Sequence, residues 1–181
     1  MKQLDTLQTL AKVGKVLSKI AFICAIVGTC GCIAGLISTT FGSSAITKIG
    51  GVTLHGILAT SEEYNLKSIS AGLTGWLIIC AGEVVLAKFA ENYFKNELAA
   101  GTPFTVKGAK ELQRLGILAM AIPVGCTVVG EIVMGIVAGF MNVAVRGWLD
   151  PQLDHEGTIV LGIMFIIGSL VCRYGAQLEQ R

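Results

Sequence analysis

Residues 115–140 read LGILAMAIPVGCTVVGEIVMGIVAGF, and this stretch decides the fold class. Its single charged residue is Glu131, and it exceeds the roughly 20 apolar residues that a transmembrane helix needs. Three more apolar stretches lie at about residues 21–41, 69–87 and 158–172. A lipid-exposed backbone must satisfy its own hydrogen bonds, so each stretch is predicted to be helical. The chain is therefore predicted to be an all-α membrane protein with four transmembrane helices.

The composition agrees with this class. Only 14% of the residues are charged, against about 25% in a typical soluble domain, and 53% are hydrophobic. The net charge of +2 is too small to indicate direct binding to nucleic acid. The first apolar stretch follows an amino-terminal segment too long for a signal peptide, so a retained span is predicted.

Lysine and arginine determine the predicted orientation. Residues 1–20, 88–114 and 173–181 contain 11 of the 14 Lys and Arg residues, and the outer segments contain the other three. Short positively charged flanks stay on the cytoplasmic side. Both termini are therefore predicted to be cytoplasmic, with residues 88–114 as the cytoplasmic loop and residues 42–68 and 141–157 as outer loops.

Residues 1–20 have the pattern of an amphipathic helix. Leucines recur at multiples of about one helical turn and lysines lie between them. Such a helix would lie on the inner leaflet and then turn into the first span. The alternative is a positively charged flank that only fixes the orientation.

The first outer loop contains two short β-prone runs on either side of Gly50 and Gly51. This pattern predicts a small extracytoplasmic β-hairpin-like loop. An isolated two-stranded hairpin is marginally stable in water, so it would need the second outer loop or a partner for support.

The cytoplasmic loop is predicted to be a helical hairpin. Gly101 has the position of a helix C-cap, Pro103 cannot continue that helix, and Thr105 can cap the next one. Four apolar residues lie beyond the second span and form a candidate partner surface: Phe89, Tyr93, Phe94 and Leu98. The alternative is that they pack against the amino-terminal helix or the lipid headgroups.

Four strings carry a resemblance to a known family: GTPFT at 101–105, AKEL at 109–112, RLG at 114–116 and RYGAQLE at 173–179. They resemble the YoaS-like family of uncharacterised four-span bacterial membrane proteins, a domain of unknown function. The resemblance implies four spans, a bacterial plasma membrane and a helix-turn-helix regulator as a candidate partner. It implies no activity, and in that family the carboxyl end commonly continues into a further polar stretch.

Two carboxylates, Glu83 and Glu131, fall inside predicted spans. An ionised group inside a bilayer is costly, so each is a candidate for function. Glu131 is the deeper of the two, and Thr127 or Thr74 could accept or donate a hydrogen bond to it. It is predicted to be polar glue between helices, and the alternative is a proton or ion relay.

Small residues at four-residue spacing indicate close helix packing, either within the chain or between copies in a homo-oligomer. The two clearest pairs are Gly31 with Gly35, and Gly135 with Gly139. The six cysteines include no Cys-x-x-Cys pair, so they are read as packing residues rather than a redox centre. His55 and the acidic residues around His155 are read as solvated loop residues, and no metal or cofactor is predicted.

These features favour a non-enzymatic membrane protein. The favoured function is a regulatory, sensing or accessory component that acts through a protein partner, such as a helix-turn-helix regulator or another membrane protein. The alternative is a small proton- or ion-coupled transporter that uses Glu131 or Glu83. An enzyme is disfavoured because no polar constellation converges in the sequence.

Overall fold

The computed structural model describes the backbone of residues 2–41, 48–49, 52–53, 66–101, 105–143 and 151–179, and side chains within 8–39, 67–101, 105–143 and 157–177. The described residues form four helices: α1 (Lys2–Phe41), α2 (Leu66–Ala100), α3 (Val106–Met141) and α4 (Pro151–Glu179). Between α1 and α2 lie two short strands, β1 (Lys48–Ile49) and β2 (Val52–Thr53).

Each helix contains a segment that is long and apolar enough to cross a membrane: Gln8–Thr39, Lys67–Ala100, Val106–Met141 and Gly157–Gln177. The predicted all-helical membrane protein with four such helices is therefore confirmed, and the chain is a multi-pass membrane protein. The first three helices contain 40, 35 and 36 residues. At about 1.5 Å per residue each exceeds the roughly 30 Å hydrocarbon core, so each extends beyond it.

The amino-terminal segment differs from the prediction. Of the two interpretations of residues 1–20, a helix that lies on the leaflet and turns before the first span is not what the structure has, because α1 is one uninterrupted helix from Lys2 to Phe41. The other, a positively charged flank that only fixes the orientation, stays a prediction. The two leucines of this segment whose side chains are described are exposed, Leu10 by 67% and Leu17 by 59%, whereas Ala11 is 5% exposed. Small residues form the packed face because they let the neighbouring helix approach closely.

The two strands pair antiparallel, with Lys48 opposite Thr53 and Ile49 opposite Val52. Two residues per strand are fewer than strands in folded proteins usually have, so this pairing does not establish the predicted hairpin-like loop. Most of residues 42–65, and all of 144–150, lie outside the described residues. The structure of the outer loops therefore stays a prediction.

The chain divides into two compact units, which are described separately. Unit 1 comprises Met1–Ala25, Gly82–Gly125 and Pro151–Arg181, and unit 2 comprises Ile26–Ala81 and Cys126–Asp150. In unit 1 the buried core consists of Tyr93, Leu112 and Leu115. In unit 2 it consists of Ala71, Met134 and Ala138.

Helices α1 and α2 run antiparallel in each unit. In unit 1, a Cβ on Gly14 would lie 2.6 Å from the Phe94 ring, and the Phe22 ring lies under the Lys88 ammonium. In unit 2, a Cβ on Gly28 would lie 3.3 Å from the Cys80 sulfur, and one on Gly35 would lie 2.9 Å from Leu73. Four buried residues of α1 recur every seven positions, Ala11, Ser18, Ala25 and Cys32, and buried Ser38 follows after six. A seven-residue period of packed residues is typical of helices that cross at a shallow, left-handed angle.

Candidate functional site

Polar side chains of unit 1 surround an open cleft where α2 ends and α3 begins. The cleft has a volume of about 280 Å³. Its lining comes from the last turns of α2, the start of α3 and the residue before it: Asn96, Glu97, Ala99, Ala100, Thr105, Lys107, Gly108 and Glu111. We call this region the hairpin cleft.

Local hydrogen bonds fix the two helix ends that form the cleft. Gly101 has φ +72°, which favours glycine, and its N–H donates to the Glu97 carbonyl at 3.1 Å. The Thr105 hydroxyl accepts the N–H of Gly108 at 2.9 Å. The roles predicted for Gly101 and Thr105 are therefore confirmed. From α1, the Gln8 side-chain amide donates to the Gly101 carbonyl at 3.3 Å, which ties the amino-terminal segment to this end of unit 1.

Two polar pairs organise the cleft. The Asn96 amide donates to a Glu111 carboxylate oxygen at 3.0 Å and so links α2 to α3. The Tyr93 hydroxyl is hydrogen-bonded to the Glu97 carboxyl, one turn further along α2. Both residues lie beyond the apolar stretch 69–87. Burial raises the pKa of the Glu97 carboxyl, and the Tyr93 hydrogen bond opposes that shift. Burial and the neighbouring Glu97 raise the pKa of Tyr93 above its usual range.

This arrangement is suited to binding. Two carboxyl groups, an amide and the Lys107 ammonium lie around an open cleft, and together they can pair with a polar or charged group of a partner. Among the residues whose side chains are described, no group of three or more His, Cys, Asp or Glu side chains could hold a metal ion. The side chains of His55 and His155 lie outside that set.

The predicted partner surface is largely internal. Tyr93 is 7% exposed, packs against Leu112 and Leu115, and meets the Phe94 ring edge-on at 5.2 Å between centroids. Phe94 also contacts α1 at Gly14. Packing against the amino-terminal helix, the alternative that the sequence left open, is therefore what the structure shows for Phe94.

The other two residues of that surface are more accessible. Phe89 is half exposed, and Leu98 is partly buried. Phe89 lies two residues after the end of the second apolar stretch, at a level where aromatic rings favour the membrane–water interface.

The two intramembrane carboxylates fall in different units. Glu83 belongs to unit 1, where it is exposed and has an interacting partner, and Glu131 belongs to unit 2, where it is half-buried. Thr74, predicted as a candidate partner of Glu131, donates instead to the Ala71 carbonyl at 2.6 Å. Within the described part of the chain, Glu131 makes no hydrogen bond or ion pair.

The predicted packing glycines divide into two groups. Gly35 lies against Leu73, whereas a Cβ on Gly31, Gly135 or Gly139 would meet nothing within 4 Å among the described atoms. In unit 1, α3 and α4 approach closely at Gly116, where a Cβ would lie 2.8 Å from the Gly162 carbonyl oxygen. In unit 2, a Cβ on Gly130 would lie 3.1 Å from the Gly75 carbonyl oxygen. Neither pair follows from a four-residue spacing on one helix, because each depends on which helices are neighbours.

Sequence reasoning missed Asn96, Glu97 and Glu111 as a group. The signal was present, because these polar residues lie on either side of a helix-ending glycine and would be brought together by a tight helical hairpin. Their exact pairing depends on the rotation of each helix, which the sequence does not specify.

All six cysteines are free thiols: Cys24, Cys30, Cys32, Cys80, Cys126 and Cys172. Cys32 and Cys80 share a side-chain hydrogen bond in unit 2. This contact joins two small residues at the α1–α2 contact and agrees with their interpretation as packing residues.

Comparison of the chain with family models, with curated proteins and with solved structures found no match. The resemblance to the YoaS-like family therefore stays a prediction that rests on the quoted strings.

Proposed function

We propose that the chain is a non-enzymatic regulatory, sensing or accessory component of a bacterial plasma membrane, with both termini cytoplasmic. In this proposal the extracytoplasmic side carries the hairpin-like loop at residues 42–68. The hairpin cleft faces the cytoplasm and binds a protein partner there, such as a helix-turn-helix regulator or another membrane protein.

The hairpin cleft is the observation that carries this proposal. It lies on segments of α2 and α3 that extend beyond the apolar stretches, on the side predicted to be cytoplasmic from the 11-to-3 split of Lys and Arg. Crossing the membrane requires neither these extensions nor the hydrogen bond that joins their polar side chains. The lining offers a partner the carboxyl oxygens of Glu97 and Glu111 and the ammonium of Lys107. Tyr93 and Phe94 support the cleft by packing in the core of unit 1.

A site-specific photocrosslinker tests the partner site in living cells. Placed at Lys107, on the exposed rim of the cleft, it should yield one discrete protein adduct. Placed at Val160, an exposed apolar position on α4, it should yield none. Glu111→Lys should abolish the adduct because it reverses a charge in the cleft. Gln113→Lys adds a positive charge on an exposed neighbouring position outside the lining and should leave the adduct intact.

Equal adducts at both crosslinker positions would contradict the proposed site. So would an adduct at Lys107 that survives Glu111→Lys in a protein that elutes as a folded species.

One observation favours a second candidate, proton- or ion-coupled transport. Glu131 is half-buried in the apolar part of α3 and has no partner in the described part of the chain. A carboxyl in that position is a typical proton-binding group of transporters. Purified protein in liposomes with an imposed pH gradient should then conduct protons, and Glu131→Gln should abolish the flux. If Glu131 is instead neutral polar glue, no flux appears and Glu131→Gln leaves the unfolding temperature nearly unchanged, because an amide resembles a protonated acid.

A further inference from the structure

A second polar cluster in unit 1 lies between α1 and α2, away from the lining of the hairpin cleft. Lys88 forms an ion pair with Glu91 at 2.8 Å, and its ammonium lies 5.0 Å from the centroid of the Phe22 ring on α1. This contact places the Lys88 face of α2 against the Phe22 face of α1.

The same faces bring two more lysines to the cluster. On α1, Lys19 precedes Phe22 by three residues, and on α2, Lys95 follows Glu91 by four, so each lies on the face of its neighbour. The Lys88 hydrogen bond lowers the pKa of the Glu91 carboxyl, and the charges of Lys19 and Lys95 lower it further. The cluster therefore has three lysines and one carboxylate, a formal charge of +2.

The cluster lies at the boundary of the apolar stretches. Lys19 comes two residues before the first stretch and Lys88 directly follows the second. Toward the membrane, the same helix faces continue as apolar side chains: Ile23, four residues after Lys19, and Val85, three residues before Lys88, are 52% and 47% exposed. We call this surface the α1–α2 groove. Its mouth, at Lys19, Lys88 and Lys95, is positively charged, and its floor, at Ile23 and Val85, is apolar and accessible.

We propose that this α1–α2 groove binds an anionic phospholipid. The headgroup phosphate pairs with Lys19, Lys88 and Lys95, and an acyl chain lies along Ile23 and Val85. Glu91 holds the Lys88 ammonium in place and reduces the repulsion among the lysines. A positively charged pocket between transmembrane helices at the membrane surface is the arrangement that recognises acidic headgroups.

The test uses the full chain purified in detergent, with bound lipid counted by native mass spectrometry. Dioleoylphosphatidylglycerol should bind at one saturable site. Dioleoylphosphatidylcholine, with the same chains and a zwitterionic headgroup, should not. Inorganic phosphate at the same concentration should neither stabilise the protein nor compete with the lipid, because it lacks the acyl chain that occupies the floor.

The variant Lys19→Gln/Lys95→Gln removes two charges that make no direct contact with Glu91, so the ion pair of Lys88 stays intact. Affinity for dioleoylphosphatidylglycerol should fall by about 30-fold, since a lysine near an anionic lipid contributes about a factor of five. Lys110→Gln/Arg114→Gln removes the same charge from exposed positions of α3 and should bind normally. Lys19→Arg/Lys95→Arg should retain binding and shows that the site needs charge rather than lysine.

Three results would overturn the proposal. If Lys110→Gln/Arg114→Gln lost as much affinity as Lys19→Gln/Lys95→Gln, the lipid would be attracted to the positive charge of the whole protein and not to this groove. Equal binding of phosphatidylcholine would show a non-selective annular lipid. Displacement of the lipid by inorganic phosphate would show a free-anion site instead of a lipid site.

Discussion

Gly116 lets α3 and α4 approach closely because its side chain is a single hydrogen atom. Its backbone approaches Gly162 so closely that a Cβ would lie 2.8 Å from the Gly162 carbonyl oxygen and 3.1 Å from the Ile166 nitrogen. Backbone atoms cannot move aside as a flexible side chain can. Close approach between membrane helices depends on such positions, because lipid supplies no hydrophobic force to hold helices together.

Gly116→Ala is therefore expected to destabilise the protein by about 1–3 kcal/mol, the usual effect of overpacking. Gly135→Ala is the matched control, since a Cβ there meets no atom of the described residues within 4 Å and alanine favours helix. Unfolding in detergent, followed by circular dichroism, measures both. Equal stability of the two variants would show that the α3–α4 contact does not depend on Gly116.

Glu97 makes the stability of unit 1 depend on pH. Burial raises the pKa of its carboxyl above the usual value of 4.5, so the folded state holds this proton more tightly than the unfolded state does. The resulting stabilisation is complete below pH 4.5 and is lost as the pH rises from 4.5 through the pKa of the folded state. Glu97→Gln keeps a neutral, hydrogen-bonding side chain at all pH values.

We expect the unfolding temperature of Glu97→Gln to vary less with pH than that of the native chain, most clearly in the range just above pH 4.5. Asn96→Asp is a useful comparison, because it adds a carboxyl to the same cleft without removing Glu97. If the unfolding temperatures of the native chain and Glu97→Gln depended on pH in the same way, Glu97 would not have a raised pKa in the folded state.

At the scale of elements, α1 is one continuous helix that packs against α2, rather than a leaflet-bound helix that turns into a span. The buried side chains described on α1 are those of alanine, serine and cysteine, three of its glycines lie against α2, and Leu10 and Leu17 are exposed. If α1 instead lay on the leaflet, its binding to the membrane would depend on the leucine face and not on the face that carries Ala11. The two arrangements therefore predict opposite effects of substitution at adjacent positions.

Ala11→Leu should destabilise the protein by about 1–3 kcal/mol, because it places three extra carbons into a buried contact. Leu10→Ala, on the exposed face, should change stability by less than about 0.5 kcal/mol. Thermal unfolding in the same detergent compares the two variants directly. A larger effect at Leu10 would restore the leaflet-bound interpretation.

At the scale of the whole molecule, orientation depends on a charge asymmetry that no helix contact supplies. The two arrangements of four helices, termini inside or outside, have the same internal contacts. The 11-to-3 split of Lys and Arg favours cytoplasmic termini.

A cysteine at Ser61, in a background without the six native cysteines, should react with an impermeant thiol reagent in whole cells. A cysteine at Asn96 should react only after the cells are permeabilised. The reverse pattern would invert the predicted topology and would place the hairpin cleft on the outer side.

Much of the fold could be predicted from sequence because the relevant forces are local. Each apolar stretch must satisfy its own backbone hydrogen bonds, so the number and type of spanning elements follow from composition. The ends of the α2–α3 hairpin follow from Gly101 and Thr105, since a C-cap and an N-cap are properties of a few neighbouring residues.

The tertiary structure decided which faces of those helices meet. Tyr93 and Phe94 could have faced a partner, but α1, α3 and α4 cover them in unit 1. Gly135 and Gly139 have the spacing of a packing motif, and yet a Cβ at either would meet no described atom within 4 Å, while Gly116 and Gly162 meet across two helices. The physical reason is that a transmembrane helix is apolar on all sides, so hydrophobicity alone does not orient it. Small differences in steric fit between neighbouring helices set its rotation, and those exist only once the helices are together.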